Sequence, residues 1–341
     1  MSNEANNGLK WPIIGHSNIV SYLQNSLTGN SLAHAYLFVG PDHVGKTTVA
    51  KLLVNSLVCD NFALQKNNLP CGQCRGCRQV ATGIHPDIYW VKRELNEKTE
   101  KFKKNISIEQ IRGLQSKLGL RSFLDSYKVA IVADAQTLSL EAANSLLKGL
   151  EEPAPKTVIV LLSNSVASLP KTIVSRCQMI KFRPVADKEI VDHLVNLKIE
   201  RKKSRTLAAL AFGLPGLALN YVENKDDYFK LQDSIKTFLG LIDQDIAAKF
   251  KTVDEVLNND TDETKEILLI WRKILRDALL IKMDVSSLVS NISLSTEIKR
   301  LATKLSTNEI RLMIKEIDQT KKYLDSNVGV RLTLENLVLK F

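Results

Sequence analysis

The stretch that decides the reading is Gly40-Pro41-Asp42-His43-Val44-Gly45-Lys46-Thr47. It matches G-x4-G-K-[ST] in full, and its surroundings fit as well. Residues 34–40 (HAYLFVG) read as a short strand, and residues 46–57 as a helix. Gly40 and Gly45 let backbone N–H groups close on phosphates, and the start of the helix adds the positive end of its dipole. Lys46 is expected to reach the β- and γ-phosphates and Thr47 to ligate Mg²⁺, with Thr48 completing the candidate nucleotide contacts.

Working outward, residues 128–134 (KVAIVAD) and 157–163 (TVIVLLS) are β-branched runs of strand length, and residues 179–182 make a further short strand. Helical patterns at 108–120 and 140–150 separate them. This alternation predicts an α/β domain, a parallel sheet with helices on both faces, whose phosphate site lies beyond the carboxyl ends of the strands. Asp134 closes its strand where a metal-binding acid is needed; the plainer reading is a strand-end turn residue. Hydrolytic NTPases of this type commonly carry a glutamate next to that acid. Here Ala135 follows, which can neither accept a proton nor hold a water, and this speaks against fast hydrolysis.

Cys71, Cys74 and Cys77 form two CxxC steps, and Cys59 lies twelve positions before Cys71. Four thiolates in a short insertion, with Gly72 and Gly76 between them, can wrap one tetrahedral structural Zn²⁺. Redox chemistry is the competing reading, but a catalytic dithiol does not need four cysteines. His85 is a weaker fifth ligand candidate and reads better as a turn residue before Pro86. Cys177 stands alone as a packing residue.

From Asp187 onward the strand signals fade. Residues 187–222 hold two or three short helical patterns around a Gly213-Leu214-Pro215-Gly216 break, and residues 226–341 carry apolar residues at helical spacing, such as Ile267, Leu268, Trp271, Ile274 and Leu275. The polar string 258–264 reads as a loop between helices. The net charge of +10 is uneven. Residues 1–185 hold 22 Lys and Arg against 13 Asp and Glu, and residues 186–341 hold 25 against 24. Any polyanion contact is therefore expected in the first half, although such an excess also serves plain solubility. No run reaches the ~18 apolar residues of a membrane span, and the polar residues 1–10 do not read as a signal peptide. The odd cysteine count and their clustering fit an intracellular metal site better than a secreted disulfide scaffold.

The order of these motifs carries a resemblance. The phosphate loop, the four-cysteine insertion, His85-Pro86-Asp87, Asp134-Ala135, residues 142–153 (AANSLLKGLEEP) and Ser175-Arg176-Cys177 resemble the bacterial clamp-loader subunits, the AAA+ family that loads the sliding clamp of DNA polymerase III. The likeness covers most of residues 10–185, and Asp-Ala in place of Asp-Glu leans to the delta-prime type rather than the motor type called gamma or tau. It implies a AAA+ domain over residues 1–185 with a four-cysteine zinc module at 59–77, a helical lid domain at 186–224 and a helical collar domain at 225–341. It implies ATP or ADP with Mg²⁺ as ligand, Asn164 at the sensor-1 position and Arg176 as an arginine finger acting on a neighbouring subunit. The lid arginine expected near residues 213–218 is not evident. The implied partners are the gamma/tau and delta subunits, the sliding clamp and primer–template DNA in the bacterial cytoplasm, with no membrane. Implied too is a component of the polymerase III holoenzyme with little or no hydrolysis of its own. The motor subunit itself, or another AAA+ replication or repair ATPase, is the alternative.

Overall fold

The computed structural model describes residues 11–29, 31–62, 70–96, 101–124, 126–256, 261–285, 289, 295–326 and 328–341. Residues 1–10, read above for the lack of a signal peptide, residues 63–69 of the cysteine insertion and residues 258–260 of the expected loop lie outside them. By internal contacts the chain divides into two units, residues 1–193 with 213–216, and residues 194–212 with 217–341.

In the first unit, α1 (Ser17–Thr28) precedes β1 (Ala35–Val39), and α2 (Lys46–Leu57) follows the phosphate loop. Then come α3 (Arg75–Ala81), β2 (Ile88–Val91), the short antiparallel pair β3 (Leu95–Asn96) and β4 (Lys101–Phe102), and α4 (Ile108–Gly119). β5 (Lys128–Val132), α5 (Leu140–Glu151), β6 (Thr157–Ser163), α6 (Lys171–Val174) and β7 (Gln178–Lys181) complete the layer. The main sheet has the order β2-β5-β6-β1-β7 and is parallel throughout.

Strand alternation explains why both faces are covered. Tyr36, Phe38, Val129, Ile131, Val158 and Val160 pack with Leu23 and Leu27 of α1 and Leu53 and Leu57 of α2. Their neighbours Leu37, Ala130, Val132, Ile159 and Leu161 pack with Leu114 of α4 and Leu146 and Leu150 of α5. Side chains of period two with apolar residues on both sides make a strand that is apolar along its whole length, as in KVAIV and TVIVLLS. Burying each large aliphatic side chain contributes about 1.5–3 kcal/mol. Serines start the two helices of the second face. The Ser107 Oγ accepts from Gln110 N while the Gln110 Oε1 accepts from Ser107 N, and the Ser139 Oγ accepts from Ala142 N at 3.1 Å.

The remaining chain is helical. α7 (Asp187–Asn196) and α9 (Pro215–Glu223) each run across the division between units, with α8 (Arg201–Ala211) between them. The second unit continues with α10 (Lys225–Leu241), α11 (Ile246–Val256), α12 (Thr261–Lys282), α13 (Ser295–Lys304), α14 (Thr307–Asp325) and α15 (Val330–Val338). Phe238, Trp271 and Phe341 form its aromatic centre, with ring centroids 5.2–6.2 Å apart. The loop expected at 258–264 is corrected at its end. Thr261 to Thr264 form the first turn of α12, where an acid such as Glu263 is favoured by the helix dipole, so a polar string marks a helix start. Among the described residues, no helix is long and apolar enough to cross a membrane.

Candidate phosphate-binding site and metal centre

β1, β5 and β6 are neighbours in the sheet, and the chain leaving each one lines a shared cavity of about 390 Å³. His43, Lys46, Thr47 and Thr48 come from beyond β1, Asp134 from beyond β5 and Asn164 from beyond β6. The crossovers of a parallel sheet are what bring these positions together, at the carboxyl ends where ligands of such sheets bind.

Within the loop, Gly45 has φ +111° and precedes α2 without any side-chain cap, so the first-turn N–H groups of that helix have no side-chain acceptor. That is the arrangement an anion needs. Gly40 also has a packing role. It does not line the cavity, and a Cβ there would lie 2.6 Å from the Phe182 carbonyl oxygen, so its bareness admits the chain leaving β7.

Lys46 is 7% exposed, and its Nζ donates to the carbonyls of Gly40 at 2.5 Å and Pro41 at 2.8 Å, with Asp42 Oδ1 at 3.4 Å. Burial pulls its pKa below the usual lysine value, against the Asp42 and Asp134 carboxylates, which raise it. An ammonium held on neutral carbonyls in a partly dry site gains from a phosphate placed beside it. Gln136, which carried no signal in the sequence, ties the far wall together. Its Nε2 lies 3.5 Å from Asp134 Oδ1, and its Oε1 accepts from Asn164 N at 3.4 Å. Gly216 also lines the cavity and donates its N–H to the His43 carbonyl at 2.8 Å. The place where a lid arginine was sought thus presents a backbone contact. Ala135 is fully buried in the apolar cluster beneath the sheet.

Arg176 lies outside this chain's own cavity. Its Nη1 donates to the Thr172 carbonyl at 3.0 Å and its Nη2 pairs with Glu151 Oε1 at 2.6 Å, both side chains being more than a third exposed.

The four clustered cysteines converge as their spacing predicts. All four Sγ atoms lie within 4.8 Å of one another, and the Cys71–Cys77 and Cys59–Cys74 pairs are 3.9 Å apart. Zn–S bonds of about 2.3 Å in a tetrahedron put sulfurs about 3.8 Å apart, so this donor set fits one zinc ion. Backbone N–H groups of Asp60, Cys74 and Cys77 point at the sulfurs of Cys74, Cys71 and Cys74 respectively. A Cβ on Gly76 would lie 2.2 Å from the Val58 carbonyl oxygen, so only glycine lets α3 close on the end of α2. His85 is buried outside the thiol cluster, with its Nδ1 accepting from Asp87 N at 3.2 Å. Cys177 packs against the apolar cluster, and burial pushes its thiol up to about 12.

Two family profiles match the chain. One, described as DNA polymerase III, delta subunit, covers residues 15–186, and its C-terminal counterpart covers residues 230–341. The DNA polymerase III subunit delta' of Bacillus subtilis (strain 168) is 30% identical over 94% of this chain and 94% of its own length. Subunit tau of the same organism is 24% identical over 96% of this chain, which spans 60% of that longer protein. Among solved structures, a gamma-subunit-related protein of Thermotoga maritima aligns with a TM-score of 0.48 at 18% identity, over 93% of this chain and 97% of that one.

Proposed function

The chain belongs to the DNA polymerase III delta-subunit family, within the clamp-loader group of delta', tau and gamma subunits, and from that membership we propose that it acts as a delta-prime-type subunit of a bacterial sliding-clamp loader. In this reading the sheet unit binds ATP or ADP with Mg²⁺ and turns it over little, if at all. The observation that carries it is the pairing of a cavity lined by Lys46, Thr47, Thr48, Asp134 and Asn164 with a fully buried Ala135 directly after Asp134. Lys46 would hold the β- and γ-phosphates, Thr47 and Asp134 would hold the metal, Gly45 and Thr48 would shape the loop, and Asn164 would act toward the terminal phosphate. Bound Mg²⁺ would neutralise phosphate charge. Among the described residues, no carboxylate follows Asp134 to orient an attacking water.

Arg176 acts on a neighbour's ATP site in this reading. Phosphoryl transfer builds charge on the γ-phosphate oxygens, and the planar fork of a guanidinium matches it. Residues 1–185 would form the AAA+ domain, with Cys59, Cys71, Cys74 and Cys77 holding a structural zinc, residues 186–224 the lid and residues 225–341 the collar for assembly with gamma/tau and delta. The sliding clamp and primer–template DNA are the partners of the assembly, in the cytoplasm. The intact phosphate loop favours one rival, the motor subunit of the same loader.

Nucleotide binding and turnover by the purified chain, alone and with its loader subunits, test the reading. ATP or ADP is expected to bind with turnover close to background, and Lys46→Ala to abolish binding, because no other ammonium among the described residues lines the cavity. Robust hydrolysis by the pure chain would instead establish the motor reading.

A further inference from the structure

The outer edge of the sheet is open along β2. In the order β2-β5-β6-β1-β7 this strand has one neighbour, β5, to which it pairs in parallel. The Asp87 and Val91 carbonyls accept from Val129 N and Ala133 N at 2.9 Å, so the register turns the backbone groups of Ile88 and Trp90 the other way. The Ile88 N–H is taken by the His85 carbonyl at 3.3 Å. The N–H and C=O of Trp90 and the C=O of Ile88 meet no partner among the described residues. An edge of this kind is a template for another strand, and sheets commonly blunt it with a charge or a proline. Ile88-Tyr89-Trp90-Val91 carries neither.

The space beyond the edge has room for such a strand. A groove of about 1410 Å³ lies between β2, the β3–β4 pair and α4. On α4, Gly113 lines it although a Cβ there would meet nothing within 4 Å, so packing does not require the glycine, and its bareness widens the groove. Cations flank the edge on both faces of the sheet. Lys51 of α2 lies 6.0 Å from the Trp90 ring centroid on one face, and Lys117 of α4 lies 5.7 Å from that of Tyr89 on the other. Lys92, Arg93 and Lys103 continue the lining against one acid among the described residues, Glu94, which pairs with Lys103 at 2.7 Å. Arg93 Nε is buried without a hydrogen bond to any described residue.

We propose that β2 accepts an acidic peptide segment of a partner protein as an added edge strand, its backbone pairing with Ile88 and Trp90 and its carboxylates meeting Lys51, Lys92, Arg93 and Lys117. Side chains of a strand alternate between faces, so such a segment presents acids to the lysine of α2 on one side and to that of α4 on the other. Main-chain pairing supplies the affinity and the alternate side chains the specificity. The charge of the lining selects acidic segments over basic ones, and it disfavours a second copy of this chain, whose own edge carries the same cations. Neither nucleotide nor loader subunits enter this interaction, so it stands or falls separately from the function proposed above.

A fluorescein-labelled peptide of about eight residues, repeating Glu-Glu-Val-Val, provides the probe for the full chain. Its anisotropy is expected to rise on binding, less so as salt is raised, and hydrogen exchange at the Trp90 amide should slow. The same peptide with every amide N-methylated keeps its charge but loses its donors, and should bind about tenfold or more weakly. Lys51→Glu combined with Lys117→Glu should weaken binding by about tenfold or more. Both lysines are exposed, and circular dichroism checks that the variant folds. Trp90→Pro removes the outward N–H and leaves the ladder to β5 its donors, so it should lose binding that Trp90→Thr, which keeps the N–H, retains. If Trp90→Pro does not fold, the methylated peptide on the parent chain decides. Three results overturn the proposal: no binding, equal binding of the methylated peptide, or binding unaffected by the two charge reversals. Equal displacement of the peptide by an oligothymidylate of the same charge would overturn it in favour of a general polyanion surface.

Discussion

Arg176 and Glu151 form an ion pair, Nη2 to Oε1 at 2.6 Å, that joins the end of α5 to the turn after α6. The guanidinium is therefore oriented by its own chain while staying more than a third exposed. An exposed pair of this kind is worth about 0–1 kcal/mol, small beside the attraction of a triphosphate. In the proposed finger role, such a pair would aim the arginine and still release it.

Arg176→Ala is accordingly expected to leave the isolated chain folded and its own nucleotide affinity unchanged. In the assembled loader, clamp- and DNA-stimulated ATP turnover should fall clearly, and Arg176→Lys should not rescue it, since an ammonium lacks the planar fork. The fall should be smaller than the ~10³–10⁵ of a single-site enzyme, because a loader has several sites. Glu151→Gln should change stability by less than about 1 kcal/mol. Wild-type clamp loading by Arg176→Ala, measured in an assembled complex, would remove the finger assignment.

Metal analysis of the purified chain should return about one zinc per molecule, matching four converging thiolates. Cys74→Ser should lower the zinc content and loosen residues 59–77 while the sheet stays folded. Cys74 is the most informative position because its sulfur also caps α3, accepting from Cys77 N. Zinc retained at full stoichiometry with all four cysteines replaced would exclude the site.

Asp87 is fully buried and accepts four hydrogen bonds, from Ser122 Oγ, Phe123 N, Leu124 N and Ser126 Oγ at 2.9–3.3 Å. It holds the connection between α4 and β5 onto the start of β2. Asp87→Asn puts donors where acceptors are needed and is expected to cost about 1–3 kcal/mol, read as a lower urea midpoint. Hydrogen exchange at Phe123 and Leu124 should quicken. Unchanged exchange would show that the loop does not depend on this carboxylate.

Lys273 on α12 lies 3.5 Å from the centroid of the Phe212 ring, and burial pulls its pKa to about 7. Asp277 opposes that shift, while Arg272, Arg276 and Lys321 add to it. In the unfolded chain a lysine titrates near 10.4. Between about pH 7 and that value the unfolded state holds a proton the native state lacks, so this group makes stability rise with pH across the window. Below it both states are charged and the dependence disappears. Urea unfolding of Lys273→Met should show a flatter profile from pH 7 to 10 than the parent; identical slopes would assign the dependence elsewhere.

What the sequence by itself determined is whatever lies in consecutive residues. The helix at 46–57 and the strand at 157–163 appear with the bounds their residues predict. The phosphate loop and three of the four thiols are contiguous motifs whose chemistry is carried by spacing. β2 was not legible, because Ile88-Tyr89-Trp90-Val91 is a short edge strand only partly buried and lacks the apolar run of a central one. Tertiary structure alone decided which distant residues meet: Asp134 with Asn164 through Gln136, Arg176 with Glu151, Asp87 with Ser122, Phe123, Leu124 and Ser126, and the rings of β2 with the cations of α2 and α4. The physical reason is the strand order β2-β5-β6-β1-β7. Each crossover sets side by side residues that local pattern cannot relate, and the pairings follow from which apolar faces are buried together.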